Sequence, residues 1–214
     1  MGRTGVQRPA EDAGLAASPR LFDNPVLEWL SRVHHLTPAI LYLPVVAILL
    51  WLSATRVPFT YAVPALLAGY LTWTEIEYFG HRFLFHLKPP GRLGAQVHFT
   101  IHGVHHVHPS DKLRLVMPPL MSLPIMLLAF AGLRAVFGSD LALPAFAGLI
   151  AGYVAYDMLH YHLHHGRPAT RLGRELRRRH MLHHFHDDTR GFGISAPWWD
   201  DILGTRPIAG SRSD

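Results

Sequence analysis

Seventeen histidines and no cysteine in a chain of 214 residues set the chemical question. The histidines are clustered. HRFLFH carries His81 and His86, and HFTIHGVHHVHP carries His98, His102, His105, His106 and His108. HYHLHH carries His160, His162, His164 and His165, and HMLHHFH carries His180, His183, His184 and His186. Residues three and four apart on a helix share a face. His102 with His105 and His106 obeys that rule, as do His160 with His164 and His180 with His183 and His184. His81 and His86 are five apart, so they are expected to converge less well and to serve different metals.

Without thiols, disulfides, thiolate zinc fingers and cysteine-ligated iron–sulfur clusters are excluded, and any metal must be held by imidazole and oxygen. About ten clustered imidazoles exceed the ligand set of a single zinc or iron ion, so two ions is the economical reading. Each ligating ring also needs its second nitrogen oriented by an acceptor. Glu75, Glu77, Asp157 and Asp187 are placed to supply one. His34 and His35 read as interface residues, and His98, His108, His162, His165 and His186 as supporting or solvated.

The elements that must position these groups are apolar. The chain is 49% hydrophobic and only 16% charged. Uncharged or nearly uncharged runs cover residues 38–54, 58–79, 115–137 and 141–159, with Glu75 and Glu77 near the end of the second. Each approaches the ~20 residues that cross a hydrocarbon layer. The very short connections at 53–58 and 138–141 make them two helical hairpins. The expected fold is therefore all-α and integral to a membrane, with four transmembrane helices capped by a helical domain on one side. That side holds every histidine cluster together with Arg32, Arg82, Lys88, Arg92, Lys112, Arg114, Arg167, Arg171, Arg174 and Arg177 to Arg179, so it is cytoplasmic by the positive-inside rule. Topology thus accounts for the net charge of +5, with no nucleic acid required. Residues 1–20 are expected to be a disordered tail, 21–208 the single domain, and 209–214 a second tail. Trp29 and Leu30 beside Arg32 suit a helix at the membrane surface. Lys88 and Lys112 are the only lysines, and that arginine bias points to a GC-rich bacterial source and a bacterial cell membrane.

These motifs together resemble the fatty acid hydroxylase/sterol desaturase superfamily, with its pattern of H-x(3–4)-H followed by two H-x(2–3)-H-H elements. Within it the sequence is most similar to fatty acid 2-hydroxylases. The likeness runs from about Asp23 to Thr205 and includes DKLRLVMPP, YDMLHYHLHH, RRRHMLHH, GFGIS and the WD-x-x-LGT stretch. The resemblance implies ten metal ligands: His81, His86, His102, His105, His106, His160, His164, His180, His183 and His184. It also places Tyr156 and Asp157 beside the metal centre as catalytic residues. The implied cofactor is a pair of iron ions, with O2 as co-substrate. Zinc could occupy the same imidazoles but, being redox-inert, could not support the reaction.

The implied reaction is hydroxylation of a lipid acyl chain, at carbon 2 of a free or amide-linked fatty acid. Hydroxylation or desaturation of another lipid, such as a sterol or carotenoid, is the alternative within the superfamily. A zinc-dependent membrane hydrolase would carry H-E-x-x-H, which is absent. A metal transporter would place its ligands inside the spans. Many eukaryotic 2-hydroxylases begin with a cytochrome b5-like domain, and this sequence has no HPGG segment. Electrons are therefore expected from a separate donor, a cytochrome b5-like protein or a ferredoxin with its reductase.

Overall fold

The computed structural model describes residues 14–208. Among them every regular element is helical. Helix α1 (Pro25–Leu30) starts at Asn24, whose side chain accepts from the backbone N–H groups of Val26 and Leu27. Helix α2 (Thr37–Arg56) and helix α3 (Phe59–Phe79) are joined through Val57 and Pro58. A π-helical turn, Gly80–Phe85, continues α3. Helix α4 (Gly91–His98) leads into a second π-helical turn, Phe99–Gly103, and into α5 (Val104–Val107). The long helix α6 (Pro119–His165), α7 (Arg171–Phe185) and α8 (Trp198–Ile202) complete the chain.

Two of these helices, Thr37–Arg56 and Pro119–His165, are long and apolar enough to cross a membrane. Phe59–Phe79 has the length, but its threonines, tyrosines, Trp73, Glu75 and Glu77 lower its hydropathy. The expected third run began at 115, whereas α6 begins at Pro119. Proline is favoured at a first helical position, and Pro118 before it is extended. The break expected over 138–141 is a single residue, Gly138, at φ 74°. The chain doubles back there, because the rings of Phe130 and Phe146 lie only 4.8 Å apart. A straight helix would separate residues sixteen positions apart by about 24 Å.

The second half of α6 is the centre of the molecule. Ala145, Leu149, Ile150, Tyr153 and Leu163 are buried there. It crosses α3 at glycines: a β-carbon on Gly69 would lie 1.7 Å from the Ala145 carbonyl oxygen, and one on Gly148 would lie 1.9 Å from that of Leu66. Small residues at such a crossing let two apolar backbones touch. Tyr42 of α2 bonds to Ser122 of α6 at 2.8 Å, inside a cluster that includes Leu49, Trp73 and Met126. Outside this core, Ile40, Leu43, Trp51, Leu67, Leu71, Leu127, Leu128 and Val136 are exposed.

Part of the expected N-terminal tail is held against this body. The Ser110 N–H donates to the Leu15 carbonyl, His108 bonds to Gly14, and Arg32 and Arg114 donate to Ser18 and Pro19. The rest of that tail, and the tail expected at 209–214, lie outside the described residues.

Candidate metal centre

The ten histidines converge in two groups of five. His81, His86, His102, His106 and His183 form one, and His105, His160, His164, His180 and His184 form the other. Within each group the ring nitrogens all lie within 4.8 Å of one another. In the first group, Nε2 of His81 is 3.1 Å from that of His102 and 3.2 Å from that of His86. In the second, Nε2 of His105 is 3.1 Å from that of His160, and those of His164 and His180 are 2.7 Å apart.

His81 and His86 were expected to converge less well and to serve different metals, but both lie in the first group. The π-helical turn is the reason. The His86 N–H donates to the His81 carbonyl five residues back, so the wider turn stacks i and i+5 on one face. The H-x-x-H-H elements also differ from expectation, which had each acting as one face. The i,i+4 pair His102 and His106 joins the first group while His105 joins the second. In α7 the pair His180 and His184 joins the second group while His183 joins the first.

The donor chemistry fits metal ions. A carbonyl can only accept, so Nδ1 of His81, 2.8 Å from the Phe192 oxygen, carries that ring's proton. The same holds for Nδ1 of His183, 2.6 Å from the Arg190 oxygen. Both Nε2 atoms therefore turn bare lone pairs inward, and that of His183 is buried without a partner. Nδ1 of His160 and His180 and both ring nitrogens of His184 are likewise buried and unpartnered. Converging lone pairs repel unless a cation lies among them. Burial, reinforced by the neighbouring histidines, pushes His81 and His183 down to about 3 and His106 to about 4. Burial likewise holds His102, His105, His180 and His184 well below the ordinary value. Neutral imidazole is the ligating form.

The carboxylates read as ring acceptors do something else. Glu77 is buried and accepts from the backbone N–H of Ile194 at 2.6 Å, from that of Ser195 at 2.7 Å, and from the Ser195 hydroxyl. It thereby anchors the loop whose Phe192 carbonyl orients His81. Asp187 accepts from Thr189, Asp157 accepts from the Met117 N–H at 3.4 Å, and Glu75 is exposed. Asp200 was not anticipated. Its carboxylate accepts from Phe192 and Gly193 at 2.9 Å each and from Thr205 at 2.7 Å, and the Thr205 hydroxyl also meets the Tyr78 hydroxyl at 2.7 Å. The GFGIS and WD-x-x-LGT segments are thus one clamp. Their co-occurrence in the sequence was the available signal, but nothing local to either segment revealed their pairing.

His34, His98, His108, His162, His165 and His186 lie outside both groups, and His35 stacks on Tyr161. Tyr156 and Asp157 precede His160 by about one turn, with the Tyr156 ring 5.7 Å from that of His160. Both face a cleft, partly open to solvent, whose wall includes His102, His105 and His160. A second cavity lies between α3 and α6 and is lined in part by His81. Phe85, Met117 and Tyr156 line both.

Fold and site together define a histidine-rich metal-binding protein built on apolar helices. Residues 66–205 match the fatty acid hydroxylase family profile. The dihydroceramide fatty acyl 2-hydroxylase FAH2 of Arabidopsis thaliana is 38% identical over 192 residues, covering 88% of this chain and 80% of that protein. The human fatty acid 2-hydroxylase is 34% identical over 203 residues, covering 85% of this chain and 55% of that protein. The solved structure of full-length Scs7p, in which only the hydroxylase domain is visible, superposes with a TM-score of 0.84 at 32% identity, covering 90% of this chain and 74% of that one. The chain belongs to the fatty acid hydroxylase family and is an oxidoreductase. These relatives are eukaryotic, so the bacterial source read from composition gains no support from them.

Proposed function

We propose that the protein hydroxylates a fatty acyl chain with O2, at carbon 2 of a free or amide-linked fatty acid, using two iron ions. Each five-histidine group would hold one ion. The observation that carries this reading is the convergence of ten histidines into two all-imidazole groups, in the first of which the Nε2 atoms of His81 and His183 are turned inward by backbone carbonyls. The names of the relatives, fatty acyl and fatty acid 2-hydroxylases, supply the reaction.

Iron would supply the redox chemistry: with O2, two electrons and two protons, a C–H bond becomes C–OH and the second oxygen leaves as water. The chain's own residues have simpler tasks. The histidines bind through neutral nitrogens, and the clamp of Glu77 and Asp200 holds the carbonyl that orients His81. Tyr156 and Asp157 form the wall against which the reacting carbon would rest, and the apolar cavities exclude water there.

The exposed leucines, isoleucines and Trp51 support insertion in a membrane. In this proposal α2, α3 and the two halves of α6 cross it as four spans, with the histidines on the cytoplasmic side. Electrons would come from a separate donor, a cytochrome b5-like protein or a ferredoxin with its reductase. Expression in a host lacking the activity, followed by lipid mass spectrometry, is the test. The expected result is new 2-hydroxy acyl lipids. An unchanged hydroxy-acid profile with altered sterols or carotenoids would replace this substrate with another.

A further inference from the structure

We infer that the outer face of α7 docks an acidic one-electron carrier protein, whose carboxylates enter a hollow between Arg167, Arg174, Arg177 and Arg178. This rests on the O2-dependent hydroxylation proposed above, which needs two electrons from outside the chain, and adds where they enter.

Helix α7 has two faces of different chemistry. His180 and His184, four residues apart, point into the second histidine group, and His183 points into the first. Arg171, Arg174 and Arg178 are three and four residues apart, so they share the nearly opposite face, and all three are exposed. The protein between that face and the ligands is therefore about one helix thick, ~10 Å. A second short path runs beside it. Arg177 Nη1 donates to the Gly166 carbonyl at 2.6 Å, two residues beyond the ligand His164.

The charge on this face is unspent. Lys88, Arg114, Arg179 and Arg190 each meet a carboxylate. On α7, Glu175 is taken by Arg178 and Arg179. Among the described residues, Arg167, Arg171, Arg174 and Arg177 have no ion pair. Two of them are nevertheless fixed, Arg174 by the Ala169 carbonyl at 2.5 Å and Arg177 by that of Gly166. Arg167, Arg174, Arg177 and Arg178 surround one open hollow with Pro168 and Met181. Held guanidinium groups with spare N–H donors suit incoming carboxylates. A membrane surface gains from arginines anywhere on the histidine side of the molecule. A carrier gains only where the way to the metal is short, and the unpaired arginines are gathered there. Each encounter oxidises the carrier by one electron and reduces one ferric ion to ferrous, so two encounters supply one hydroxylation.

The test uses the full-length, iron-loaded protein in nanodiscs of phosphatidylcholine. The probes are two acidic carriers, the soluble haem domain of a cytochrome b5 and a two-iron ferredoxin, with basic cytochrome c as the contrast. Titration of the oxidised probes reads docking alone, and stopped-flow absorbance reads oxidation of the reduced ones. At least one acidic probe should bind, more weakly as salt rises, and cytochrome c should not. Arg171→Glu with Arg174→Glu should weaken that binding and slow that oxidation by about tenfold or more at low salt. Arg171→Lys with Arg174→Lys should keep most of both. Arg56→Glu with Arg134→Glu, an equal charge change at exposed sites outside α7, should alter neither. No binding of either acidic probe, equal weakening in the Arg56 and Arg134 variant, or unchanged affinity in the α7 glutamate variant would overturn the inference. So would a glutamate variant that keeps its carrier but no longer co-purifies with phosphatidylserine, since the face would then be a membrane contact. Hydroxylation driven by dithionite should be equal in the parent and the glutamate variant, and a loss in the variant alone would also overturn the inference. Its absence in the parent marks failure of the proposed function and not of docking.

Discussion

His105 and His183 change places: the middle histidine of each H-x-x-H-H element sits among the ligand groups of the other element. His105 lies 4.6 Å, ring to ring, from His184 of α7, while His183 of α7 lies 4.9 Å from His106. Each group also takes one pair from the end of a long apolar helix, His81 and His86 after α3 and His160 and His164 from α6. The exchange ties α7 to the segment Phe99–Val107 through both groups at once. Neither group is complete without residues from three parts of the chain.

Removing an exchanged histidine should therefore empty one site and spare the other. His183→Ala is expected to lower bound iron from about two ions per chain to about one, with loss of activity. His105→Ala should do the same from the opposite group. Metal analysis of iron-loaded protein is the measurement, with His34→Ala as the control that keeps both ions. Equal loss in the His34 variant would refute the sorting of ligands.

Glu77 tests whether the loop beneath His81 matters to the metal. Glu77→Ala leaves the Ile194 N–H buried without its acceptor, at a cost of about 1–3 kcal/mol, and the half-buried Ser195 N–H at a smaller one. With the loop released, the Phe192 carbonyl no longer fixes the His81 ring. Metal affinity should fall by roughly 10–100-fold, measured by competition with a chelator. Glu77→Gln retains an accepting oxygen and should lose less. Equal affinity in all three proteins would make Glu77 purely structural.

Much of this was legible in the sequence, and the failures share a cause. Spacing singled out eight of the ten histidines that converge, the family resemblance added His81 and His86, and apolar runs located the long helices to within several residues. What spacing could not give was the partition. The rule that residues three and four apart share a face treats His102, His105 and His106 as one unit, but that face spans two ion positions. The same rule assumes α-helical turns, so the π-helical turn that brings His86 under His81 was invisible to it. Glu77 was singled out for its sign and position. Its partners lie more than a hundred residues away in a loop without periodicity.

The crossing of α3 and α6 makes a stability prediction independent of metal. Any β-carbon at Gly69 or Gly148 must displace a backbone carbonyl, which cannot rotate away as a side chain can. Gly69→Ala and Gly148→Ala should each destabilise the protein by about 1–3 kcal/mol, and valine should cost more. Gly132→Ala, where a β-carbon meets nothing within 4 Å, is the control. Thermal unfolding in one detergent compares them directly. Unfolding temperatures for the Gly69 and Gly148 variants equal to that of the Gly132 variant would contradict the close crossing.

Metal-free protein should lose stability in mild acid. His81 and His183 titrate near 3 in the folded chain because burial disfavours their charged forms, whereas an unfolded histidine titrates near 6.5. Between those values the unfolded chain binds more protons than the folded one, so stability rises with pH across that window. Each such group contributes a slope of up to ~1.4 kcal/mol per pH unit below about 6.5, and none above it. The unfolding temperature of metal-free protein should therefore hold steady above about pH 7 and fall steeply toward about pH 5. Iron-loaded protein should resist further, because an ion bound only to the folded state opposes protonation by mass action. A flat profile for the metal-free protein across this range would mean that these histidines are far more solvated than their packing implies.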